Sequence, residues 1–263
     1  MNQLHALWAY RNFVAASIRS ELKGRFARSK LGALWFILHP LAQAAIFAVI
    51  LSEVLAARIP GVASHAGYAI YLLSGMAAWA LFTEIVNRCI TVFIDHAGAL
   101  KKIAFPRICL PVIVGGSALL NHALLLAAVL LIFVILGHPP GLALVVLPLA
   151  AFLIAIFAFG LGVLLGIFNV FARDVAQVTN IVLQLWFWLT PVVYTRDVLP
   201  KQFDWVMSVN PMVPLVRMYQ DALLHRTWPV WSELTVPALV GGVLFVGAFA
   251  IFRRASADLV DEL

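Results

Sequence analysis

The feature that most constrains this chain is a series of apolar runs, each about as long as a bilayer is thick, with most of the charge gathered in the turns between them. Of 263 residues, 63% are hydrophobic and 11% are charged, and the mean hydropathy is +1.00. A soluble domain of this length has no interior large enough to hide that surface. The pattern predicts an all-α polytopic membrane protein with six transmembrane helices, at about 34–56, 68–94, 108–136, 142–171, 175–193 and 234–252. Pro40 loosens the start of the first run, and His138-Pro139-Pro140-Gly141 makes a tight turn after the third. The organisation expected is a cytoplasmic interfacial helix over 1–30, a transmembrane domain over 31–254 and a short tail over 255–263.

The turns also set the orientation. Lys and Arg number twelve on the side holding the termini and the 95–107 and 172–174 turns, against five on the other side; Arg88 falls within a span. The richer side is cytoplasmic, so both termini face inward and the segment 194–230 faces out. The pI near 9.7 reflects this gathering of basic residues at span ends and gives no reason to expect nucleic acid. No cleavable signal segment is expected: the first 30 residues hold six basic residues and no apolar core leading to a cleavage site. Within them Leu4, Leu7, Trp8, Phe13, Val14, Ile18 and Leu22 alternate with Arg11, Arg19 and Lys23, which suits an amphipathic helix lying in the membrane interface.

Residues 171–228 depart from the simple pattern. The charged turn Arg173-Asp174 opens an apolar run that ends in Trp186, Phe187 and Trp188 and is stopped by Pro191. The long segment that follows holds two apolar pieces, 203–209 and 212–224, divided by Asn210-Pro211. Each is too short to cross and too apolar to float, so a shallow re-entrant helical hairpin is expected. Arg217 and Asp221 stand four apart within it and suit either an exit site for a sugar or diphosphate group or a local ion pair.

Other candidates are fewer. The turn DHAGALKKIAFPR, 95–107, is basic and apolar at once: Lys101, Lys102 and Arg107 supply charge, and Leu100, Ile103 and Phe105 a hydrophobic wedge suited to a cytoplasmic partner. Glu84 and Arg88 share a helix face inside a span, as an intramembrane ion pair. The rings Trp186, Phe187, Trp188 and Tyr194, with Trp35, Phe36 and Tyr219, suit either an aromatic belt or a stacking surface for sugar rings. The histidines show no metal-binding spacing, and no nucleophile–base set is visible. No GxxxxGK[ST] loop occurs, so no ATP hydrolysis is expected of this chain. Cys89 and Cys109 lie toward the cytoplasmic ends of their spans and are expected reduced.

Three stretches resemble a known family. SKLGALWFILHPLAQAAIF at 29–47 is similar to the first span of ABC-2 type exporter membrane subunits, LKKIAFPRICLP at 100–111 to the loop after their second span, and ARDVAQVTNIVLQLWFWLTPVVY at 172–194 with VNPMVPLVRMYQDALL at 209–224 to their C-terminal signature. The polysaccharide exporters among them, O-antigen exporters above all, look nearest. The resemblance implies a homodimer in the bacterial inner membrane, bound to two ABC ATPase subunits that hold the ATP and magnesium, with no cofactor on this chain. It implies that the 95–107 loop, with Arg173-Asp174 next in line, couples to the ATPase. It implies re-entrant helices at the periplasmic mouth, and a lipid-linked polysaccharide on undecaprenyl diphosphate as substrate. Teichoic acid, capsule, lipid or drug export on the same fold is the alternative within the class; a membrane glycosyltransferase or ligase acting on lipid-linked sugars, using Asp197, Asp204 or Asp221, is the alternative outside it.

Overall fold

The computed structural model describes residues 3–27, 35, 38, 42, 65–102, 105–195, 202, 204–255 and 262. Every regular element among them is helical. Helices α1 (Gln3–Ala9) and α2 (Arg11–Ala27) come first; α3 (His65–Asp95), the short α4 (Ala97–Lys102) and α5 (Cys109–Ile135) follow. A 3-10 turn, Leu142–Val146, leads into α6 (Leu147–Phe171), then α7 (Asp174–Trp188), α8 (Asp204–Val209) and α9 (Met212–Gln220). A π-turn over Asp221–His225 and a 3-10 turn over Trp231–Leu234 precede α10 (Thr235–Ala255).

Four stretches among the described residues are long and apolar enough to cross a membrane: Gly67–Asp95, Cys109–Ile135, Leu142–Phe171 and Trp231–Ala255. They fall on four of the six expected runs. The first expected span, 34–56, lies outside the described residues except at positions 35, 38 and 42. The fifth, expected to run to 193, is helical only as far as Trp188. Pro191 has no N–H to continue the ladder, and the last turn tightens as the Leu189 and Thr190 amides donate to the Trp186 and Phe187 carbonyls at 3.1 and 3.2 Å.

Helix α3 is the central post: 72% of its apolar window is buried, against 22% for α10 at the periphery. Close packing around it depends on small residues. Gly162 and Gly166, one turn apart on α6, lie against Cys89 and its neighbours on α3, and a Cβ at either position would collide with that helix. Phe82 of α3 stacks on Phe157 of α6 at 5.4 Å, and Phe93 on Phe252 of α10 at 5.6 Å. Helix α2, expected as an interfacial helix, also rests one face on its own chain: Ile18 presses on α5 at Gly116, where a Cβ would meet its side chain.

Candidate functional site

One end of the bundle is sealed by a knot of backbone carbonyls. Beyond Trp188 the chain leaves the helix and runs alongside α3, where Pro191, Val192, Val193 and Tyr194 are all buried. Carbonyls released from a helix at such a place need partners, and α3 supplies them. The Tyr71 hydroxyl shares its one proton between the carbonyls of Tyr194 (2.8 Å) and Pro191 (3.1 Å), and the Tyr68 hydroxyl donates to that of Val193 (3.0 Å). Gln220 of α9 donates its amide to the Pro191 carbonyl at 3.0 Å. It reaches that point beside Gly75, where a Cβ would crowd both Gln220 and the Val192 carbonyl.

Asn210, expected as a plain turn residue, is the second centre of the knot. Its Oδ1 accepts from the Trp186 indole N–H at 2.9 Å and the Met212 amide at 3.0 Å. Its Nδ2 donates to the Leu189 carbonyl at 3.2 Å and to Thr190 Oγ1 at 3.0 Å. The break between α8 and α9 is thereby tied to the end of α7. Two of the rings that suited either an aromatic belt or a stacking surface lie in this sealed region. Tyr219 has no exposed surface and shares a 2.7 Å hydrogen bond with His122 Nε2. Tyr194 is buried and donates to the Trp188 carbonyl at 2.5 Å. A ring enclosed by protein has no face left for a sugar.

Arg217 and Asp221 form the ion pair that their spacing suggested, at 3.3 Å, and Arg217 Nη1 also donates to Glu233 at 3.1 Å, tying α9 to the root of α10. Burial pushes the Asp221 carboxyl above the usual carboxylate range, and Arg217 pulls against that shift. Glu233, 16 positions away, joins this group with no local spacing to signal it.

Beside the knot lies a groove of about 740 Å³ between α3, α5 and α7. Its walls carry Thr83 and Asn87 one turn apart on α3, and Asn180 and Gln184 one turn apart on α7, with Glu84 between. Trp79, Phe187 and Trp188 supply the aromatic part of the lining. Among the rings expected to meet glycan, Phe187 and Trp188 therefore line the groove, while Trp186 is half-buried with its N–H committed to Asn210. Trp35 is 53% exposed elsewhere, and Phe36 lies outside the described residues. The amides of Asn87, Asn180 and Gln184 went unnoticed in the sequence. Their signal was there: uncharged amides at i,i+4 spacing inside apolar runs seldom face lipid.

A second cavity, about 840 Å³, opens between α2 and the opposite ends of α3 and α5. Tyr10 just before α2, Phe13 and Glu21 of α2, Arg88 and His96, and Ala99 and Phe105 line it. The expected Glu84–Arg88 pair is present at 3.5 Å and belongs to a larger set. Arg88 also pairs with Glu21 of α2 through Nη2. Helix α5 completes the set: Ser117 donates to Glu21 Oε2 at 2.8 Å, and Asn121 Nδ2 to Glu84 Oε1 at 2.7 Å.

The 95–107 turn contains the short helix α4. Lys101 is exposed, while Leu100, Phe105 and Arg107 are half-buried. Phe105 turns inward onto Phe13 of α2, ring centroids 5.7 Å apart. Ile103 and the side chain of Lys102 lie outside the described residues. Arg173 and Asp174 are exposed at the start of α7, where a carboxylate complements the helix N-terminus. Just behind them Asn169 donates to the Ile90 carbonyl at 3.1 Å and accepts from the Ala176 amide at 3.1 Å, pinning this turn to α3.

Comparison with known proteins adds to this geometry. The family model for ABC-2 type transporters matches residues 13–224. An O-antigen export system permease protein RfbA of Klebsiella pneumoniae is 29% identical, with 92% of each chain covered. An RfbA of Myxococcus xanthus is 27% identical over 98% of this chain and 97% of that one. A polysialic acid transport protein KpsM of Escherichia coli is 22% identical over 95% of both.

Proposed function

The chain belongs to the ABC-2 type transporter family, and on that premise we propose that it is the membrane permease of an ATP-driven exporter that moves a lipid-linked polysaccharide, O antigen in the first place, from cytoplasm to periplasm. The observation that carries this reading is the groove lined by Thr83 and Asn87 of α3 and the amide pair Asn180 and Gln184 of α7, with the rings of Trp79, Phe187 and Trp188 in the same lining. Sugar hydroxyls need exchangeable hydrogen-bond partners along a path, and sugar C–H faces pack on rings. Relatives aligned end to end with this chain are named as O-antigen export permeases, which supports the same substrate class. The lipid carrier proposed is undecaprenyl diphosphate.

Two copies of the chain form the pathway. The outward stripe of Val178, Ile181, Val182 and Leu185 on α7 is apolar and exposed beside the groove, which suits packing against a second copy. Each copy binds one ATPase subunit at α4 and the Arg173-Asp174 turn, on the cytoplasmic side together with both termini. The hairpin α8–α9 dips into the outer leaflet: Gln220 sits level with Gly75, about 12 Å along α3 from the start of its apolar stretch at Gly67.

The test is export from cells in which the chromosomal copy of the gene is replaced. Asn180→Leu with Gln184→Leu keeps side-chain volume close and removes the amides. The pair of changes is expected to leave the protein inserted and bound to its ATPase while surface polysaccharide falls at least about tenfold. Wild-type surface polysaccharide in that strain would remove the groove as the path.

A further inference from the structure

The groove and the second cavity share a wall, and that wall is the Glu84–Arg88 pair: Glu84 lines the first and Arg88 the second. We propose that Arg88 is a positioning residue that ties the state of the groove to the surface helix α2, and through α2 to the segment 97–107.

The guanidinium is a rigid planar fork. Its Nη1 meets Glu84 and its Nη2 meets Glu21, so a shift of one carboxylate tilts the fork and moves the other. Both carboxylates are held by α5 through Ser117 and Asn121, themselves one turn apart. The result is a lattice of short contacts among three helices. Phe13 stands eight residues before Glu21 on α2, two turns along the same face, and its ring rests on Phe105. A hydroxyl binding Glu84 from the groove draws that carboxylate away from Arg88. The guanidinium then follows or releases Glu21, and α2 is free to shift against Phe105. These groups are only about a quarter exposed, so solvent screens the lattice weakly. The inference rests on the reading of 97–107 as the ATPase contact for its purpose, but not for its geometry.

The test reads α2 directly. Nitroxide labels are placed at Tyr10→Cys, joined to the first turn of α2 by the Val14 amide, and at Ala99→Cys, both in the lining of the second cavity, on a background of Cys89→Ala and Cys109→Ala, in nanodiscs of Escherichia coli lipid. Pulsed EPR gives the distance distribution. Glu84→Gln, a change inside the groove, is expected to raise the displaced fraction of α2 about tenfold, and Arg88→Met to do the same. The double variant adds nothing further, because both act through one fork. Arg88→Lys restores part of the wild-type distribution, and Thr83→Val, on the same wall but outside the lattice, leaves it unchanged. An unchanged distribution in Glu84→Gln, or effects that simply add, would overturn the relay. Neither ATPase nor glycan is needed here, so this failure is separate from failure of the export reading, which shows as normal surface polysaccharide after loss of the gene.

Discussion

The two ends of the bundle are held together by different chemistry. At one end, Asn210, Gln220, Tyr68 and Tyr71 satisfy the irregular backbone with neutral hydrogen bonds, and the residues around them are buried. At the other, α2 is held by carboxylates and a guanidinium that border a cavity of about 840 Å³. A sealed neutral knot moves as one unit with α3, since any slip leaves buried carbonyls without partners. Both ends border open volume, but the charged groups are about a quarter exposed and can trade a partner for water, which gives their lattice room for a second arrangement. The contrast teaches where motion belongs: at the α2 end, with the hairpin end carried along by α3 and α7.

The comparison breaks most sharply at Asn210. Asn210→Leu removes four hydrogen bonds and strands the Trp186 N–H and the Met212 amide, with an expected loss of roughly 3 kcal/mol in stability, measured by thermal unfolding in detergent. A loss no greater than that of an exposed site would mean the knot is not what holds the hairpin. Next comes Gly166→Leu, which forces α6 away from the Cys89 backbone; about 2 kcal/mol is expected from overpacking, with the neutral knot left intact. Arg88→Met is expected to cost about 1–2 kcal/mol and to change function more than stability, because its carboxylate partners retain α5 donors. The smallest effect is at Arg217→Gln. Arg217 and Glu233 are nearly half exposed, with Asp221 more enclosed, so under about 1 kcal/mol is expected, and a larger loss would mean the tie from α9 to Glu233 belongs with the knot.

Much of the architecture was legible in the sequence because apolar run length is set by bilayer thickness, a one-dimensional constraint. The bounds of α3, α5 and α6 follow from it, and the break at Asn210-Pro211 follows from the backbone restriction before proline. Hydropathy alone carries the fifth run to Val193, whereas the helix ends at Trp188, in keeping with the stop that Pro191 signals in the sequence. Partners far apart in sequence were not legible. Glu21 meets Arg88 across 67 positions, Tyr71 meets Tyr194 across 123, and nothing in either local pattern points to the other. The burial of Tyr194 and Tyr219 is not legible either, since an aromatic near a span end or in a short apolar piece looks the same in sequence whether it faces lipid, a pathway or the core. The Phe105 wedge was read as outward because Phe13, which turns it inward, lies in another helix.

The account depends most on the claim that the chain between Trp188 and Trp231 dips and returns without crossing. Single cysteines at Trp205 and Arg226, both exposed, bracket the hairpin, and one at Lys101 marks the opposite end. On a background lacking Cys89 and Cys109, intact cells are treated with a maleimide that crosses the outer membrane and not the inner one. Cysteines at 205 and 226 are expected to react from outside, and the one at 101 only after the inner membrane is opened. Labelling of 205 and 226 from opposite sides would mean that α8 and α9 together make one crossing, and labelling of a cysteine at Asn210 from the cytoplasm that each of them crosses; in either case the sealed knot would be a point along a span instead of the floor of a re-entrant hairpin.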